Sequence, residues 1–263
     1  MFSHESRRRF ENHQLLEVIC QLRFPEILSI ETRVPADFQE AIRREFPQYR
    51  TTRETPPPRM VGTPGNMKMQ PQKEMTNYQF ISADGVWRVN LTTTFISLSC
   101  LRYTTWEEFA KKLDLPLVAF IKTYQPAYFE RVGLRYINAF SRKALDLEGV
   151  PFRELFQSCY LGILAEEDVE ETATSRCSFD AEMKLRGGAH VKLHAGPGMI
   201  KRGNQPQDEE VHFILDNDLF MPGQVPVNLS AGALQTLHQQ ADSLFLGAIT
   251  PKLAEAMEPR EYL

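Results

Sequence analysis

The sequence predicts an α+β protein built from a duplicated β-α-β-β-β-α unit, its strands forming one or two curved antiparallel sheets with the long helices on one face. Three observations carry that expectation. An apolar strand over 16–24 leads to a helix over 36–46, three strand-like runs and a longer helix opening near Trp106. From Arg131 the order restarts, with a strand over 132–140, a helix over 152–161, three more strand-like runs and a last helix from Ala231. Parallel βαβ alternation is missing, which argues against a doubly wound nucleotide-binding sheet. Order and lengths repeat although residue identity hardly does, and a period of roughly 130 residues is one small domain's worth of chain. The expected lobes are residues 1–130 and 131–263.

Each element has a local reason. In the first strand Leu16, Val18, Cys20, Leu22 and Phe24 alternate onto one side, with Glu17, Gln21 and Arg23 on the other and Ile19 as the exception. One buried and one wetter face suits an antiparallel sheet. Pro35 and Asp37 open a helix in which Phe38, Ala41, Ile42 and Phe46 fall at helical spacing, and Pro47 stops it. Residues 48–76, rich in Pro, Met and charge, read as a long flexible loop, a kind of connection that is uncommon inside a domain unless functional or disordered. Asp84-Gly85 is a type I′ hairpin signal between YQFIS and WRVNLTT, and FISLSCLRY completes a three-stranded meander. Thr104 or Thr105 can cap the next helix, with Glu107 and Glu108 in its first turn. Trp106, Phe109, Leu113, Phe120, Ile121 and Tyr124 form its apolar stripe, so Trp106 is expected in the core, and Pro116 is expected to kink or split the helix.

In the second half Arg186-Gly187-Gly188 is the tip between SFDAEMKL and AHVKLHAG, and a polar loop over 196–209 precedes VHFILDNDLFM. Ser230 is the expected cap of the last helix, whose stripe is Leu234, Leu237, Ala241, Leu244 and Phe245. Pro251 starts a final short turn or helix.

The bulk numbers exclude more than they select. A chain of 263 residues with 42% hydrophobic and 10% aromatic residues has ample material for a packed core. The net charge of −4 divides as about +3 over 1–131 (18 basic, 15 acidic) and −7 over 132–263 (12 basic, 19 acidic). That total supplies no concentrated basic face of the kind duplex-binding domains carry. Arg7-Arg8-Arg9 reads as a solvated tail. Cys20, Cys100, Cys159 and Cys177 stand far apart without a C-x-x-C, so neither a disulfide framework nor a thiolate metal site is expected. No signal peptide and no run of about 18 apolar residues can be read, which makes a reducing cytoplasm the expected compartment and a membrane role unexpected.

Candidate chemistry is sparse. His190 and His194 share one face of a strand and His212 is on the next, a divalent-metal pattern. Lys192 projects between the first two, however, and no carboxylate or cysteine completes the set, so no metal is expected. The glycines at 186–188 and 196–198 do not open helices and are turns rather than phosphate cradles. No G-x-S-x-G elbow and no paired Cys and His are present. AEEDVEE at 165–171 is a solvated connector, and Asp216 and Asp218 read as a strand end. The most informative segment is RVGLRYINAF at 131–140. Val132, Leu134 and Tyr136 alternate to one face and Arg131, Gly133, Arg135 and Ile137 to the other. Two arginines straddling a glycine leave room for a planar or anionic group at the backbone; the competing expectation is that both pair with acids on adjacent strands.

RVGLRYIN, together with YTTWEEF at 103–109 and LHQQADSLFLGAIT at 237–250, resembles a sporadically distributed, uncharacterised family of bacterial and archaeal proteins. Its members pair a Y-x-x-W-x-x-F element with an R-[IV]-G-L-R-Y-[IV]-N strand and close with a helix carrying His and then Phe. The matching positions are Tyr103, Trp106 and Phe109; Arg131, Gly133, Leu134, Arg135, Tyr136 and Asn138; and His238 and Phe245. Family members often show Asn-Pro-Pro before the opening strand, where this chain has Asn12-His13-Gln14. The resemblance covers nearly the whole chain and implies no activity. At the level of architecture alone, the expected plan is also similar to TATA-binding-protein-like or helix-grip folds, a likeness that carries no function.

With no catalytic signature, the leading expectation is a non-enzymatic module that binds a protein or peptide through the open sheet face and the 48–76 segment, without a cofactor. The alternative is a small-molecule pocket between sheet and long helix, with or without catalysis, with Arg131, Arg135, Tyr136 and Asn138 as its polar groups; a cavity of several hundred Å³ would favour it. A third reading places nucleic acid on the sheet, using Arg23, Arg88, Arg102 and Arg135 with Tyr103 and Trp106 for stacking.

Overall fold

Strict two-residue alternation in the strands decides the architecture, because it gives a sheet one apolar and one polar face. The computed structural model describes residues 1–3, 8–55, 59–63, 66–70, 74–201 and 208–261. The first half contains β1 (Arg8–Phe10), β2 (Leu15–Arg23), α1 (Leu28–Thr32), α2 (Ala36–Ile42) and β3 (Gln48–Glu54). It continues with β4 (Arg59–Thr63), β5 (Asn66–Gln70), β6 (Met75–Ile81), β7 (Trp87–Leu91), β8 (Phe95–Cys100) and α3 (Trp106–Tyr124). The second half contains β9 (Phe129–Phe140), β10 (Phe179–Lys184), β11 (His190–Met199), β12 (Val211–Val225), α4 (Ser230–Leu246), α5 (Pro251–Ala256) and β13 (Pro259–Glu261).

Nine strands form one antiparallel sheet in the order β10-β11-β12-β9-β2-β8-β7-β6-β3, continuous across residue 131. One row of it explains the core. Val191, Leu219, Leu134, Cys20, Leu98, Val89 and Phe80 stand side by side on seven successive strands, and all are buried. The row one residue over reads Lys192, Asp218, Arg135, Ile19, Ser99, Arg88 and Ile81. The apolar side carries α3 and α4, whose buried stripes include Phe109, Leu113, Phe120, Leu234, Leu237 and Leu244. Helix α2 packs on α3, and β1 pairs with β13 in a separate two-stranded ribbon.

Several local expectations hold. The Thr105 hydroxyl accepts from the Glu108 amide at the start of α3, Trp106 is core, and Pro251 opens α5 behind a Thr250 cap. Others are corrected. Helix α3 runs through Pro116 as one element, because the buried side chains on both sides of the proline hold the two turns against the sheet. Ser230 lies inside α4 and donates its hydroxyl to the Val227 carbonyl, instead of capping from outside. Only Gly85 has positive φ at the 82–85 turn. The turn is therefore not type I′, and the Asp84 carboxylate braces it by accepting from Ser82 Oγ and the Val86 amide.

The helix expected over 152–161 is a series of 3₁₀ turns at Phe152–Glu154, Ser158–Tyr160 and Gly162–Ala165. The helical spacing of Phe152, Leu155, Phe156 and Tyr160 is real and all four are buried. Backbone bonds from Gln157 to Ala248 and from Thr250 to Leu155 pull the middle of the segment extended. The 48–76 stretch is not structureless either. It holds edge strand β3, paired along its length with β6, and the β4–β5 hairpin. Its residues 56–58, 64–65 and 71–73 lie outside the described residues, as do Arg7 and residues 202–207 of the expected 196–209 loop. The first part of that loop is the end of β11. Arg8 and Arg9 belong to β1, not to a tail.

Candidate functional site, a polar cavity between α4 and the sheet

Helix α4 crosses β9 and β12 on the apolar side of the sheet. Most inward side chains there are aliphatic or aromatic, but three inward positions are polar: Tyr136 and Asn138 on β9, and Asn217, the β12 partner of Tyr136. Above them α4 presents His238, 1% exposed. The Tyr136 hydroxyl lies 2.8 Å from His238 Nδ1. One turn further along α4, Asp242 Oδ2 is 3.3 Å from His238 Nε2. A carboxylate beside Nε2 favours the proton on that nitrogen and leaves Nδ1 to accept from the Tyr136 hydroxyl. Asp242, His238 and Tyr136 thus stand in a row along one wall of the site.

Aromatic packing fixes the row. Trp106 stacks on the His238 ring at 4.6 Å with an interplanar angle of 12°. Its Nε1–H donates to Gln235 Oε1 at 2.7 Å, one α4 turn before His238. Tyr103 meets Tyr136 edge to face at 5.9 Å. Such pairs have specific geometry and hold orientation as well as burying area.

A cavity of about 100 Å³ opens beside this row, with Tyr136, Asn138, Asn217, His238 and Asp242 as inner polar groups, His13 and Tyr103 at one side and Arg8 and Arg9 at the mouth. Phe10, Leu15, Ala241 and Phe245 supply the apolar wall. Burial pushes the His13 imidazolium below its ordinary range; a backbone bond at Tyr103 opposes this and the Arg9 charge adds to it. Asn138 Nδ2 donates to the Leu215 carbonyl at 3.3 Å. Asn217 is different: its Oδ1 is fully buried and has no hydrogen-bond partner among the described residues. A buried polar atom left unpaired costs about 1–3 kcal/mol, and Asn217 is one of the residues lining the cavity.

The four site residues read from the sequence are divided by the strand pleat. Tyr136 and Asn138 belong to the cavity, whereas Arg131 and Arg135 lie on the opposite face of β9. Arg135 grips Asp216 with two hydrogen bonds, one of them 2.7 Å from Nε, and this contact is the first cause of its raised pKa. Arg131 pairs with Asp218 and lies over the Phe220 ring, 4.5 Å from its centroid. The space above Gly133 is taken by Arg131's own guanidinium, into which a Cβ there would run. Asp216 and Asp218 sit within β12, not at its end, so the arginines pair with acids on the adjacent strand. Arg135 is 44% and Asp216 16% exposed at the side chain, and a pair whose cation reaches solvent contributes little. Arg135→Ala is therefore expected to lower unfolding free energy by less than about 1 kcal/mol, less still in high salt, as read by urea titration at two ionic strengths.

The stacking residues offered for nucleic acid also separate from the arginines. Trp106 is buried beneath α4 and Tyr103 faces the cavity. His190 and His194 lie on the polar face of the sheet, with His194 Nδ1 2.7 Å from Asp180 Oδ1, and His212 pairs in register with Gly198, four residues beyond His194. The three imidazoles do not converge. The cavity residues that sequence reasoning missed are His13, Asn217 and Asp242. Asp242 carried a usable signal, four residues after His238 on a helix, whereas Asn217 is identified only by strand register. Among the described residues no helix is long and apolar enough to cross a membrane. No protein-family model matches the chain, and no curated protein matches it in sequence.

Proposed function

We propose that the protein binds a small polar ligand in the cavity between α4 and the sheet. The observation that carries this reading is the orphaned Asn217 Oδ1, set beside the hydrogen-bonded Tyr136 and His238 pair. A ligand group that donates to Asn217 and meets the Tyr136 hydroxyl would satisfy an atom the fold leaves unpaired. A volume of about 100 Å³ is roughly three waters' share of liquid, about 30 Å³ each. It is well below the ~300–1,000 Å³ of drug-sized sites, so the occupant is a small polar molecule or the polar end of a larger one, with Arg8 and Arg9 at the entrance. With the proton on His238 Nε2, the Tyr136 phenol donates to the imidazole and is polarised for proton transfer, the catalytic extension of this reading.

Asn217→Leu tests it, because leucine nearly conserves volume, removes the unpaired amide and closes the donor site. The variant is expected to be more stable than wild type by about 1–3 kcal/mol in urea titration. It is also expected to lose the thermal shifts that a panel of small hydrogen-bond-donating compounds produces with wild type. A destabilised Asn217→Leu would mean that the amide serves the fold, and unchanged shifts would place the compounds elsewhere.

The sequence's leading expectation, a protein or peptide partner, is kept as a second reading by one observation. Met67 and Met69 are exposed on the same side of β5, and methionine suits adaptable contact surfaces. Isolation of the chain from its host without any stoichiometric protein would count against it.

We further infer that the two halves descend from one repeated unit. The order β10-β11-β12-β9 on one side is matched by β6-β7-β8-β2 on the other, each set followed by a long helix. In both sets the earliest strand in the chain pairs with the latest, β2 with β8 and β9 with β12. We rest the proposed kinship with the sporadic bacterial and archaeal family on its motif positions, of which Tyr103, Tyr136, Asn138, His238 and Phe245 line one cavity and Trp106 stacks on His238.

A further inference from the structure

Away from the cavity, Asp208 and Glu210 precede β12, the latter in a bend, and His212 is the second residue of that strand. One ligand atom from each lies within 4.8 Å of the others. Carboxylates at a surface are common without an ion; the imidazole sets this cluster apart. The His212 ring is 6% exposed. Its Nδ1 is 3.1 Å from the Glu210 carbonyl oxygen, an atom that can only accept, so Nδ1 carries a proton and neutral His212 bears its lone pair on Nε2. Among the described residues Nε2 makes no hydrogen bond: its neighbours are Asp208 Oδ2 and Glu210 Oε2, each at 3.8 Å. That separation is too long for a hydrogen bond. It is near the spacing of two donors around one first-row divalent ion with bonds of about 2.0–2.2 Å.

We propose that Asp208, Glu210 and His212 bind a divalent transition metal of the Zn²⁺ type. The mixed nitrogen and oxygen donor set suits such an ion better than Mg²⁺, which favours all-oxygen shells. The supporting contacts are those a metal site needs. A backbone carbonyl orients the histidine, Ser141 Oγ donates to Glu210 Oε2 at 2.7 Å, and the Lys143 amide donates to Glu210 Oε1 at 3.1 Å. The Glu210 amide donates to Asp208 Oδ1 at 3.1 Å, which leaves Oδ2 toward the imidazole. Bonds of this kind fix ligand rotamers and raise affinity. Glu210 also lines a broad groove of about 870 Å³ shared with Arg142, Lys143 and Met199, a path by which an ion and further ligands can enter.

The test uses the full chain, stripped with a chelator and titrated with ZnCl₂ by calorimetry and thermal unfolding, with MgCl₂ as comparison. One saturable Zn²⁺ site per chain and a raised melting temperature are expected. Asp208→Asn and His212→Gln are each expected to weaken Zn²⁺ by about ten-fold or more. Since His212 is buried and its variant can fail to fold, the exposed Asp208→Asn carries the comparison in that case. Absence of saturable Zn²⁺ binding by wild type overturns the proposal, as does wild-type affinity in Asp208→Asn. Equal binding of Mg²⁺ retained by His212→Gln would also overturn it, by assigning the ion to carboxylates alone.

Discussion

Trp106→Ala is expected to lower the unfolding free energy by about 3–5 kcal/mol, the range for truncating a large buried aromatic side chain. The indole is 6% exposed and stacks on both Phe109 and His238. Its Nε1–H also donates to Gln235 Oε1. Truncation therefore opens a void under α4, removes the bond to Gln235 and releases the ring that orients His238. Trp106→Phe separates the contributions, since phenylalanine keeps most of the apolar volume while the Gln235 bond is lost, a change of about 1 kcal/mol. Urea titration of the three proteins measures both steps. A Trp106→Ala cost below about 1 kcal/mol would resemble a surface substitution and would remove the aromatic clamp from the description of the site.

Phe156→Ala is expected to cost a similar ~3–5 kcal/mol, although the residue sits in irregular chain between two 3₁₀ turns. Its ring stacks on Phe213 with centroids 4.0 Å apart and meets Phe140 edge to face at 5.0 Å. Its backbone bridges to Ile249, the segment that links α4 to α5. The side chain thus ties the 3₁₀ segment, β9, β12 and the C-terminal helices together. The same substitution in a solvated connector would change stability by about 0.5 kcal/mol or less, so one denaturation curve distinguishes the two situations.

Phe156 also shows where sequence reasoning ends. Strands such as β2, β7 and β9 were legible because alternating burial writes a period of two directly into residue type. Helix α3 was legible because Thr105, Glu107 and Glu108 mark its start and its apolar stripe follows. The 152–161 segment carries the same helical spacing, yet backbone bonds from distant residues 248–250 override it. Edge strand β3, QYRTTRE, has no apolar alternation to read; it is a strand because β6 offers it a hydrogen-bonding partner. At the site, Tyr136 and Asn138 were legible, and His238, Tyr103 and Trp106 were visible as motif positions. Their meeting place was not, since it depends on α4 crossing β9. Arg131 and Arg135 already stood on the other face of the strand from Tyr136 in the sequence pattern, and that same pleat, which sends odd and even positions to opposite faces, keeps them out of the cavity.

The most direct test of a ligand between α4 and the sheet is native mass spectrometry of the chain purified from its own host, wild type beside Asn217→Leu. A small-molecule adduct retained by folded wild type and missing from equally folded Asn217→Leu is the expected result. The same adduct on both proteins, or on neither, would contradict a ligand held by Asn217.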